Sequence, residues 1–160
     1  EMKGFFQMTQ HNASLCINIQ KRVLEILEND PALKEYVADF GIGEANVSRK
    51  IFPYVTVAEA TGEVEPLCVG RAAPNLNRYR IVVHGGARHT LPEVARAGDE
   101  NGKKGAVQMA DDIVAALWPG NVGGLFKPTV RLRSAGVEEF PGSAGQIWRA
   151  TVELSGGRKA

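Results

Sequence analysis

The chain has 160 residues, 44% hydrophobic and 23% charged, which fits one folded domain of ordinary size. Its 19 Lys and Arg against 18 Asp and Glu leave a formal net charge of +1, which excludes a bulk basic surface for duplex DNA and an acidic tail. No uncharged apolar run reaches the roughly 20 residues of a membrane span, so a soluble protein without membrane partners is expected.

Residues 1–13 read as a polar-aromatic arm in which Phe5 and Phe6 either pack on the body or grip a neighbour. EMKGFF lacks the apolar core and small-residue cleavage site of a secretory signal. Glu1 is not an initiator, and Met2 and Met8 are both candidate starts. The two cysteines, Cys16 and Cys68, are far apart and lack metal-type spacing, so free thiols are expected.

Ser14 to Glu28 predicts a long helix, with Leu15, Ile19, Val23, Ile26 and Leu27 on one face. Asn29-Asp30-Pro31 breaks and restarts it, with Asp30 as N-cap and Pro31 at the first helical position. Leu33, Tyr36, Val37 and Phe40 then predict a shorter helical stripe that Gly41 and Gly43 end. Ile51 to Glu59 is the first predicted strand, with Ile51, Pro53, Val55 and Val57 on one face and Phe52, Tyr54 and Thr56 on the other. Pro53 lacks an N–H and must lie at the strand start or on an edge.

Thr61 to Asn77 reads as a long projecting hairpin or irregular loop, of the kind that carries function. Arg78 to Ala87 is the second predicted strand, with Arg80, Val82 and His84 on one face, Tyr79, Ile81 and Val83 on the other, and Gly85-Gly86 as a bulge or strand end. Thr90 to Lys104 reads as a solvated loop with a helical turn at Pro92 to Ala97. Its GDENGKK run resembles a phosphate loop but lacks the glycine spacing and the Ser or Thr after lysine.

Gly105 to Trp118 predicts the central helix, with Val107, Ala110, Ile113, Val114 and Leu117 buried and Asp111 and Asp112 facing water. Pro119 to Pro128 is a glycine-rich turn. Thr129 to Phe140 and Gln146 to Leu154 predict two strands joined as a hairpin through Pro141 to Gly145. In the second, Trp148, Ala150, Val152 and Leu154 face the core. Ser155 to Ala160 should fray. The expected fold is α+β: a largely antiparallel four-stranded sheet packed against an N-terminal and a central helix, with a core of residues 14–154.

Candidate chemistry is sparse. There is no HExxH, CxxC or GxSxG. Glu138 and Glu139 point to opposite faces of a strand and cannot act as a pair. His84 has no nucleophile in a recognisable context and no second histidine at ligand spacing. Arg78, Arg80, Arg131 and Arg133 form either a basic face able to touch nucleic acid or, the blander outcome, cross-sheet ion pairs with Glu59, Glu138 or Glu153. No catalytic residue, metal or cofactor is expected.

The order of pieces resembles the tail terminator or tail-completion proteins of tailed bacteriophages. The pieces are DPALKEYV, IFPYVTVAEA, YRIVVHGG, GAVQMADDIVAALW and the closing VRLRSAGVEEF…IWRATVEL. The resemblance implies a virion protein of the tail or neck, assembled in the host bacterial cytoplasm. It implies a homo-oligomeric ring, commonly a hexamer, that stops tail-tube polymerisation and meets the tube protein on one side and a head-completion or connector protein on the other. DNA would pass through the lumen without sequence-specific binding. Candidate contact residues are Phe5, Phe6, Leu67, Val69, Arg71, Arg131 and Arg133. The alternatives are another neck or connector protein, a nucleic-acid-binding module using the arginine face, and a ligand-binding enzyme using His84 and its glycines.

Overall fold

The computed structural model describes residues 17–43, 51–66, 75–117 and 129–159. The first helix, α1, covers residues 17–29. Ile19, Val23 and Leu27 recur every four residues, so they form one ridge, and all three are fully buried. Asp30 caps the next helix by accepting the Leu33 N–H through Oδ2 at 3.2 Å, with Pro31 at the first position. This helix, α2, is Pro31–Tyr36.

The predicted stripe through Phe40 fails there. Val37 is already extended, and Asp39–Ile42 forms a short strand, β1. The edge of the sheet captures it: the Ala38 and Asp39 N–H groups donate to the Pro53 carbonyl at 2.8 and 3.3 Å, and the Thr56 hydroxyl donates to the Gly43 carbonyl at 2.8 Å. Local helix spacing over two turns is weaker than a run of sheet hydrogen bonds.

The remaining elements are β2 (Tyr54–Pro66), β3 (Asn75–Arg88), α3 (Pro92–Ala97), α4 (Ala106–Ala116), β4 (Thr129–Glu139) and β5 (Ile147–Lys159). The sheet has five strands in the order β1-β2-β3-β5-β4, not the four expected. β1 pairs parallel with β2, and every other pair is antiparallel. The protein is therefore α+β with a mostly antiparallel sheet. Pro53 precedes β2, where its missing N–H costs no ladder bond.

Strands run further than expected at three places. Of the two readings of residues 61–77, the described parts, Thr61 to Pro66 and Asn75 to Asn77, take the hairpin one: the β2–β3 ladder runs on to Pro66↔Asn75. Ser155 to Lys159 do not fray, because β5 lies between β3 and β4 and both neighbours supply partners as far as residue 157. Gly85-Gly86 is neither bulge nor end; β3 passes through to Arg88, and the irregularity lies on β2 between Val57 and Glu59.

The helices share one face of the sheet. Val55, Val57, Tyr79, Ile81, Val83, Ala150, Val152 and Leu154 pack there in one cluster with Ile19, Val23, Leu27, Leu33, Met109, Ile113 and Leu117. The centre of α4 is rotated from the predicted stripe. Ala106, Met109, Ala110, Ile113 and Ala116 are buried, while Val107 and Val114 are only half-buried. Among the described residues no helix is long and apolar enough to cross a membrane.

Candidate subunit-contact surface

Of the predicted contact residues, Phe5, Phe6, Leu67, Val69 and Arg71 lie outside the described residues. Arg131 and Arg133 both fall on β4, the last strand of the sheet order. Arg133 is exposed and sits where the β4–β5 register shifts, between Leu132 and Ser134.

Among the described side chains, the sheet face away from the helices carries ion pairs. Arg80 reaches Glu59 on β2 at 3.1 Å and Glu153 on β5. The hydrogen bond and charge of Glu153 raise the Arg80 pKa further above its ordinary value. Arg149 donates to Glu138 through Nε at 3.1 Å. Period-two alternation brings these side chains opposite one another on neighbouring strands. Glu59, Glu138 and Glu153 are thus the acids expected from sequence, with Arg80 among the expected cations and Arg149 a cation the sequence did not single out; the side chains of Arg78 and Arg131 lie outside the described ones. Being solvent-exposed, such pairs are screened by water and salt and add little to stability.

The near end of the same face is closed. Tyr54, Thr56, Val82 and His84 are buried there. His84 stands between Thr56 and Thr151 in register, with no acid directly opposite it. His89 is used by the backbone: its Nδ1 accepts the Leu91 N–H at 3.0 Å at the entry to α3. Among the described residues no group of three or more His, Cys, Asp or Glu side chains could hold a metal ion.

The GDENGKK loop has an internal anion of its own. Asp99 Oδ1 accepts the Asn101 and Lys103 N–H groups at 2.9 and 3.0 Å, and the Asp99 N–H donates to the Lys103 carbonyl at 3.2 Å. A carboxylate thus holds two of the backbone donors that a phosphate loop would turn to its ligand. Gln108 then ties the loop to α4. Its Oε1 accepts the Gly105 N–H at 3.0 Å, while its Nε2 donates to the Ala97 carbonyl at the end of α3.

Asp112 does not simply face water. Its Oδ2 accepts the Tyr36 hydroxyl at 2.8 Å and lies 3.9 Å from Lys104 Nζ, joining α2 to α4. Burial first, then the Asp112 carboxylate, push the Tyr36 phenol well above its usual pKa.

What remains open is the sheet's rim. β1 and β4 are its outer strands, and among the described residues neither pairs on its outer side. Residues 132–136 of β4 are all exposed. Large apolar side chains emerge at both rims, Leu132 at 38% and Ile42 at 45% exposure. Sequence reasoning found Arg131 and Arg133 but missed Ile42, because DFGI carries two glycine-flanked apolar residues and no alternation long enough to read. No family model matches this chain, and no curated protein matches it either.

Proposed function

We propose that this chain is a virion assembly protein of tailed bacteriophages, a tail terminator whose copies close into a ring on the end of the tail tube. The observation that carries the reading is a sheet that, among the described residues, is open at both rims and has strands far longer than α4. β3 has 14 residues, about 45 Å at some 3.3 Å each, against about 16 Å for the 11 residues of α4. A long β2–β3 hairpin and two rims unpaired among the described residues are what a subunit needs to grip copies of itself. The order of sequence pieces resembling that family supports the same reading.

The role is one of shape. The hairpin meets a neighbouring subunit or the tube, the rims join subunits, and the lumen passes DNA. The six-fold count and the tail-end position follow the resemblance.

Mass photometry and negative-stain imaging of the purified protein across a wide concentration range, alone and with isolated tail tubes, test this. Closed rings, free or on tube ends, are expected. A strict monomer that leaves the tubes unbound overturns it.

A further inference from the structure

The two rims of the sheet match each other in backbone phase, side-chain chemistry and polarity. Successive residues of a strand turn their N–H and C=O groups to opposite sides. In β1 the Asp39 and Gly43 N–H groups donate inward, to Pro53 and Val57 carbonyls at 3.3 and 2.9 Å. Phe40 and Ile42 therefore turn theirs outward.

On the opposite rim the Phe140 N–H donates inward to the Ile147 carbonyl at 2.9 Å. Steps of two along β5 lead from Ile147 to Ser155, whose partner is Arg131. The Arg131 backbone N–H and C=O thus turn inward, and those of Val130 and Leu132 turn outward. The extra residue at the bulge, Arg133, sets this phase apart from that of Ser134 onward.

The side chains agree with the backbone. Leu132 stands opposite Leu154, and Phe40 and Ile42 stand beside Val55 and Val57. All three therefore lie on the helix-bearing face. Strand directions alternate from β2 through β3 and β5 to β4, with β1 parallel to β2. A copy that continues the sheet therefore sets its β1 antiparallel to β4.

We propose that neighbouring copies join by strand addition, β4 of one protomer to β1 of the next, in the antiparallel register that pairs Leu132 with Phe40 and Val130 with Ile42. This rests on the ring reading and names the surface that closes it. The register uses outward backbone groups on both sides, sets the exposed Leu132 against Phe40, and brings Arg133 beside Asp39 of the neighbouring copy. Two different surfaces meet, so the contact is heterologous and repeats until it closes. The bulge ends the pairing after Leu132, which limits the seam to a strand as short as β1.

The test compares wild type with Ile42→Lys and Leu132→Lys by native mass spectrometry and mass photometry, with circular dichroism and thermal melts to establish folding. Each lysine variant should lose ring formation, with at least a tenfold weaker association. For variants that fail to fold, a milder pair serves: Ile42→Cys and Val130→Cys proteins, each also carrying Cys16→Ser and Cys68→Ser, mixed and oxidised. A disulfide between the two different proteins is expected. Predominant 130–130 disulfides, or loss of assembly in Leu132→Lys alone, indicate a two-fold β4–β4 contact and overturn the proposal. Rings that persist in both lysine variants overturn it while leaving the ring reading intact. A wild-type protein that never assembles removes the ring reading itself, and this seam with it.

Discussion

Gly85 and Gly86 are neighbours whose missing side chains matter on opposite faces of the sheet. A Cβ on Gly86 would land inside the Tyr54 ring, whereas one on Gly85 would meet the Met109 sulfur and, at 3.2 Å, Ile113 Cδ1. The Tyr54 ring is rigid, buried and wedged against Phe52 at 5.3 Å between centroids. The Met109 side chain is flexible. Gly86→Ala should therefore cost about 2–3 kcal/mol and Gly85→Ala about 1 kcal/mol, read from urea midpoints. Reversed magnitudes would mean that Tyr54 yields more easily than Met109.

Tyr36 makes a second residue-scale prediction. The phenol ionises near pH 10 in the unfolded chain and higher in the folded one. Above pH 10 the unfolded state binds fewer protons, so stability present below that pH is lost progressively as pH rises. Tyr36→Phe should cost about 1 kcal/mol at neutral pH and flatten that decline. Denaturant melts of both proteins between pH 8 and about 11 would check it, and parallel curves would count against the assignment.

At the scale of elements, α4 is the most committed to the core. Ile113→Ala should destabilise by about 3–4 kcal/mol because the site is closed on all sides, while Asp111→Ala on the exposed face should stay within about 0.5 kcal/mol. Thermal and urea unfolding would separate the two. That helix, and the alternation in β3 and β5, were legible because many residues repeat one period. Trp148, Ala150, Val152 and Leu154 face the helices as the spacing required. β1 was not legible: Leu33, Tyr36, Val37 and Phe40 fit a helical stripe, and it is pairing with β2, with bonds to the Pro53 and Val57 carbonyls and from the Thr56 hydroxyl, that draws Phe40 into the sheet. The Ser-Gly-Gly-Arg-Lys end of β5 has poor strand propensity, but a strand paired on both sides needs little of its own. Of the candidate contacts, Arg131 and Arg133 were findable as an alternating basic pair. Their place on a rim depends on strand order, which no local pattern encodes.

For the molecule as a whole, the long ladders decide which surfaces are free. Among the described side chains of the sheet's wet face, Arg80 and Arg149 are matched by acids. Weak, salt-sensitive association with duplex DNA is expected at most, and fluorescence anisotropy at low and moderate salt would measure it. Tight binding that steepens as salt falls would show instead a basic surface beyond these pairs.

The strand order also has a temporal side. β5 is the last strand along the chain, yet it lies inside the sheet, joining Leu76 to Lys159 on one flank and Thr129 to Gly157 on the other. Until it is synthesised, β3 has one partner and β4 has none among the described strands, so the sheet cannot close before β5 has left the ribosome. Pairings this distant in sequence fold slowly. In the interval the half-built sheet exposes sticky strands to every other nascent copy, so efficient production should favour slow, cool expression over fast, warm expression.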